Sequence, residues 1–302
     1  MIWEVILWNL HGLNIVQVIT ETINNLFYNL FSSVDNSLYS VLDDLLFINL
    51  DIFNDKYMEK LFGTSSSSGL ILICNSLIAG ISLYYAFSFL LSHVTFSQVQ
   101  KPSQFIFKLF FCAIAINFSY FLIQQIILIA SNISLAIREV GETVFNKSIC
   151  LSTFIQELNS TIYINSSGFT MFSIDGLIKG FISLSFFNLA LSYSLRFIMI
   201  KVFIFITPFA FLCLITPNTS WIFKSWFKIL MSLLLLQVIV SIILLISFSI
   251  NVNSFDISSK LIYIGSVYAL IKANTFVRDF MGGLSTDISL GIGNINSFIK
   301  GG

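Results

Sequence analysis

The chain has 302 residues, of which 56% are hydrophobic, 16% aromatic and 10% charged, and its 15 basic and 15 acidic residues cancel. An ordinary soluble domain is about 25% charged, so this composition belongs to an integral membrane protein, and the missing basic excess argues against an electrostatic nucleic-acid-binding module. Three prolines and four scattered cysteines without CxxC spacing support neither a disulfide scaffold nor a collagen-like or disordered chain.

Residues 1–68 hold eight acids against Lys56 and Lys60. Ile2, Ile6, Leu10, Leu13 and Val16 fall at helical spacing beside Trp3 and Trp8, so residues 1–31 read as an amphipathic helix on the membrane surface, with a further span as the alternative. The first residues carry no Lys or Arg ahead of an apolar run, so no secretory signal is read there. Over 20–60, Leu26, Leu30, Leu38, Leu42, Leu45 and Leu46 recur at helical intervals with Asp35, Asp43, Asp44 and Asp51 elsewhere. That pattern predicts an amphipathic helix seeking a partner or the membrane surface. Thr64 to Gly69, reading TSSSSG, is a flexible linker.

A helix needs about 20 mostly apolar residues to cross a hydrocarbon core about 30 Å thick. Charge-free intervals place spans at about Leu70 to Ser92, Leu109 to Ile137 and Ile229 to Phe255. Gly180 to Pro217 is apolar but interrupted by Arg196 and Lys201. As one helix it would be roughly 57 Å long, so it reads either as one span with a surface tail or as two short spans turning at Arg196 to Lys201. Pro208 is expected to kink or break it and Pro217 to stop it. A fifth span at about Ile257 to Val277 requires Lys260 and Lys272 to snorkel toward headgroups.

Basic residues near span ends mark the cytoplasmic side. Five spans put the acidic N-terminal region and the loop at 138–179 outside, and Lys101, Lys108, Lys224, Lys228, Arg278 and Lys300 inside; six spans break that pattern. The expected fold is therefore all-α and integral to the membrane. Its parts are an outward amphipathic region over 1–68, two spans within 69–137, an external loop over 138–179, a membrane bundle over 180–277 with a Pro-broken helix, and a Gly-rich cytoplasmic tail over 278–302.

No residue pattern supports catalysis. His11 and His93 lie outside any HExxH arrangement, no G-x-S-x-G elbow or phosphate-binding fingerprint occurs, and no pair of carboxylates falls inside the four best-defined apolar stretches. The expectation is a protein that is not an enzyme and uses no cofactor or metal. Polar stripes remain. Asn117, Gln124 and Ser131 recur every seven residues in the second span, and Asn188, Ser192 and Arg196 follow at helical steps in the third. Such stripes either hydrogen-bond neighbouring helices or line a wetted path. A charge near a helix centre costs roughly 2.5–3.5 kcal/mol on insertion scales, so Arg196 reads as paired or water-facing, or as snorkelling at the boundary. Gly176 and Gly180 form a GxxxG pair at the start of the third span.

Arg196 is followed by Thr207-Pro-Phe-Ala210, Ile215-Thr-Pro-Asn-Thr219, then Trp221 and Trp226 with Lys224 and Lys228, and a long apolar helix. This order resembles the TrbL family, the polytopic inner-membrane channel subunits of conjugation and type IV secretion systems. The motif match covers about Arg196 to Ser241, and the expected topology matches over most of the chain, with a shorter C-terminal region than many members have. The resemblance implies a channel or scaffold subunit in a bacterial inner membrane, N-terminus outside and C-terminus inside. Implied partners are a secretion ATPase, bitopic scaffold proteins and further copies of the chain, with DNA or protein as transient substrate and the lipid bilayer around it. Pro208 and Pro217 would shape a helix break, and Trp221, Trp226, Lys224 and Lys228 would anchor a cytoplasmic turn or dock a partner. Pro208→Ala is then expected to impair transfer without preventing insertion. The alternatives are a multi-pass solute transporter or permease, for which the helix break at Pro208 speaks, and a purely structural scaffold.

Overall fold

The computed structural model describes residues 17–29, 33, 41–54, 56–63, 69–95, 101–161, 173–249 and 257–281. About 92% of what it describes is helical and none of it is strand, as an all-α membrane protein requires. Expectations for residues 1–16, most of the TSSSSG linker and the tail beyond Met281 lie outside the described residues.

Short helical stretches at 17–29 and 41–46, a 3-10 turn at Leu50–Phe53 and a short helix at Lys56–Phe62 precede the long helices. The helices after them are α1 (Leu70–Thr95), α2 (Pro102–Asn117), α3 (Ser119–Phe145), α4 (Leu151–Thr161), α5 (Ile174–Leu212), α6 (Ser220–Ser249) and α7 (Ile257–Met281). Stretches of α1, α3, α5 and α6 are long and apolar enough to cross a membrane. The segment expected to form a fifth span is helical, as α7, but it is not among the helices apolar enough to cross a membrane, carrying Lys260, Lys272, Arg278 and Asp279. Within α7, Arg278 spends its charge on neighbouring Asp279 at 3.0 Å.

The interval Leu109 to Ile137 is not one helix. Phe118, at φ −92° and ψ 3°, separates α2 from α3, and its N–H is shared between the carbonyls of Ile114 and Ile116. Asn117 stands at the break, donating its side-chain amide to Ala113 O at 2.8 Å and exchanging hydrogen bonds with Asn75 of α1. A side chain that binds the preceding turn competes with the backbone ladder. No charge marks this break, which is why a search for charge-free intervals passes over it.

The third span departs the other way. Helix α5 runs unbroken through Arg196, Lys201 and Pro208, so no turn forms at 196–201 and the chain reverses only after Leu212. Its start is fixed by Ser173, whose Oγ accepts the Gly176 N–H at 3.0 Å, so Gly176 serves in a helix cap. The reversal is built by Pro217–Thr219, with Thr219 Oγ1 donating to Cys213 O at 2.8 Å.

Helix α6 packs against α3, α5 and α7, while α5 also contacts α1, α2 and α3. Gly141 allows the approach of α3 to α6, since a Cβ there would lie 2.6 Å from Leu245 Cδ1 and 2.7 Å from Ile149 Cγ1. Two cores result. One holds Ile116, Ile123, Ile127, Ile204 and Trp226; the other holds Phe154, Phe186, Tyr193, Val240 and Val267. The amphipathic helix expected over 20–60 is interrupted after Leu46 among the described residues, and the stretch 41–54 reaches both cores, Leu42 and Leu46 entering the second and Ile48, Ile52 and Phe53 the first. The partner sought by those leucines is the chain's own bundle.

Candidate functional site

Residues 47–49 are neither helix nor strand, and they run from half-buried Phe47 through buried Ile48 to exposed Asn49. Backbone partners serve part of this stretch, Phe47 N–H donating to Asp43 O at 2.8 Å and Asn49 O accepting from Ile52 N–H at 3.4 Å. Side chains serve the Ile48 N–H and the carbonyl of neighbouring Leu46, since an unpaired buried N–H or C=O is expensive. Gln237 and Arg196 supply them. Arg196 is fully buried near the middle of α5, donating Nη1 to Leu46 O at 2.8 Å and Nε to Leu233 O of α6 at 2.7 Å. Gln237, also fully buried, accepts the Ile48 N–H on Oε1 at 3.1 Å. One turn further along α6, Ser241 Oγ donates to Gln237 O at 2.8 Å and lies 2.7 Å from Ser134 Oγ of α3.

The same segment is held at its ends. Asp43 accepts the N–H groups of Leu151 at 2.7 Å and Ser152 at 3.1 Å, capping α4, and its negative charge suits the positive end of that helix. The Arg138 guanidinium lies over the Phe47 ring, 4.0 Å from its centroid. Arg196 and Arg138 make no ion pair with a carboxylate among the described residues. Arg196 Nη2, Gln237 Nε2 and Arg138 Nε are buried donors without an acceptor among the described residues. Two cavities flank the wedge. One, of about 330 Å³, is lined in part by Asn49, Asp51, Ser131, Ser134, Arg138 and Gln237. The other, of about 360 Å³, is lined in part by Asp44, Asn49, Asp51, Phe197 and Lys201.

The predicted stripe on the second span is divided. Asn117 sits on α2 paired with Asn75, half-buried Gln124 lies on α3 beyond the break, and Ser131 reaches the first cavity. On α5 the stripe stays together: Asn188 has a buried Oδ1 without a partner, Ser192 is half-buried, and Arg196 is the tether described above. Around the reversal, Trp221, Lys224, Lys228 and Pro217 are exposed, whereas Trp226 is 4% exposed and donates Nε1 to Phe203 O at 3.0 Å. Trp226 thus braces α5 close to buried Pro208, while Trp221 is exposed. Burial pushes the nearby Cys213 thiol up from its ordinary pKa.

Sequence reasoning missed Gln237, Asp43 and the site role of Arg138. Gln237 had a readable signal, as the one carboxamide within the apolar run of α6. Asp43 had none, since its partners lie more than a hundred positions away. No protein-family model matches the chain, and no curated protein matches it.

Proposed function

We propose that this protein is a channel or scaffold subunit of a type IV secretion machine that helps DNA or protein cross a bacterial cytoplasmic membrane, with the N-terminus outside, the C-terminus inside and α7 as a fifth span. The observation that carries this reading is the non-helical wedge at 47–49, with cavities on both sides and two arginines beside it that have no carboxylate partner among the described residues. Irregular backbone at membrane depth is tolerated where it is buried in protein or lines a water-filled space. The resemblance of Arg196 to Ser241 to TrbL proteins gives that arrangement a context. Motive force then comes from a partner ATPase, and a complete path needs further subunits or copies.

Crosslinking in the native host followed by purification and mass spectrometry tests this. Co-recovery with a secretion ATPase and bitopic scaffold proteins is expected. Recovery alone or only as a homo-oligomer, from cells that contain the assembled machine, overturns it. That result favours the second reading, a solute permease, for which the wedge and its cavities near helix midpoints speak because transporter sites are built from interrupted segments.

A further inference from the structure

We propose that the cavity between α5 and the 44–52 stretch is a binding site for a small zwitterion, one with a primary ammonium a few bonds from a carboxylate or phosphate. The inference is independent of the secretion reading. Leu46 O and Ile48 N–H are tethered to Arg196 and Gln237, each near the middle of its helix. Asp44 lies two residues before the first anchor and Asp51 three after the second, so both carboxylates stand close to the same depth, and both are exposed. Lys201, half-buried on α5, follows Arg196 by five residues. A charge turned toward lipid at such a depth is costly, so the space in front of these groups holds water or a polar solute.

Asp44, Asn49, Asp51 and Lys201 all line this one cavity of about 360 Å³, with Phe197 among its apolar walls. Opposite charges thus face a single space, yet no ion pair joins Lys201 to either carboxylate among the described residues. The Lys201 ammonium rests instead over the Phe197 ring, 5.1 Å from its centroid. Asp51 gives one oxygen to Asn54 Nδ2 at 2.8 Å and keeps the other. Asn49 Oδ1 accepts the Asp51 N–H at 2.8 Å, which makes Nδ2 the donor end of that amide. A lone anion would meet two carboxylates here, and a lone cation would meet Lys201. A zwitterion answers both, its ammonium bridging Asp44 and Asp51 with two of its three donors and its anionic end taking Lys201 and Asn49 Nδ2. The volume lies at the small end of ligand pockets, which suits a short amino acid or an ethanolamine headgroup.

The test uses the purified full-length protein in phosphatidylglycerol nanodiscs with radiolabelled glycine and β-alanine, competed by sodium acetate or methylammonium chloride. Saturable binding of either amino acid, with each singly charged competitor about tenfold weaker or more, is the result expected of a soluble occupant. For a lipid headgroup, the expected result is preferential retention of phosphatidylethanolamine from mixed nanodiscs, read by mass spectrometry. Lys201→Met keeps the stem against Phe197 and removes the charge, and Asp44→Asn removes a charge from the other wall. Each is expected to raise the apparent Kd by about tenfold or more, or to abolish the lipid preference. Neither saturable binding nor lipid preference in the native protein would mean that these charges meet only water or one another, and overturns the site. Competition by acetate or methylammonium as strong as by the amino acids would remove the zwitterion assignment. Native binding in Lys201→Met overturns the site even where Asp44→Asn fails to insert.

Discussion

Helices α1 and α6 are both apolar enough to cross a membrane, yet 11% of the most apolar stretch of α1 is buried inside the protein against 50% of that of α6. Their polar residues behave accordingly. On α1, Ser76 and Ser82 return their hydroxyls to the carbonyls of Leu72 at 3.0 Å and Ile78 at 2.8 Å, satisfying themselves within one helix. On α6, Gln237 and the carbonyl of Leu233 receive groups from the wedge and from α5. Apolarity places a helix in the membrane; the partners of its polar atoms decide whether lipid or protein surrounds it.

Substitutions should divide along the same line. Arg196→Ala takes the buried donor from the Leu46 carbonyl, removes a second bond to the Leu233 carbonyl and opens a cavity, so a loss of about 3 kcal/mol is expected, read as a lower unfolding midpoint in micelles. Leu46→Ala removes a fully buried side chain from the wedge and should cost about 2–3 kcal/mol in a denaturant titration. Trp226→Phe gives up the hydrogen bond to Phe203 O, worth about 1 kcal/mol, and limited proteolysis should then find the 213–219 reversal more readily. Leu83→Ala on α1, 63% exposed in the protein, should change stability by less than about 0.5 kcal/mol in the same micelles. A loss at Leu83 comparable to that at Leu46 would show that α1 has a protein partner where lipid is expected.

What the sequence makes legible follows from what it encodes locally. Helix α1 is readable because a Ser-rich linker precedes an uninterrupted apolar run, and Arg196 because a charge inside such a run needs a partner. The break at Phe118 is hidden because Asn117 acts through Asn75, which is 42 positions away. Pro208 does not end the helix as a break there would require: α5 continues to Leu212, with Trp226 bonded to the Phe203 carbonyl just over one turn before the proline. The wedge is the hardest case. Leu42 and Leu46 keep helical spacing, but periodicity says only that a face is buried and nothing about which surface covers it.

The central claim is that 41–54 threads into the bundle against α5 and α6. It is tested most directly by a short bifunctional thiol reagent on Ile48→Cys paired with Gln237→Cys, in membranes, with the native cysteines replaced. Efficient intramolecular crosslinking there, and none between Ile48→Cys and Leu83→Cys, is the predicted result. Free reaction of Ile48→Cys with a membrane-impermeant thiol label, without crosslinking to position 237, would place the segment outside the bundle and contradict the account.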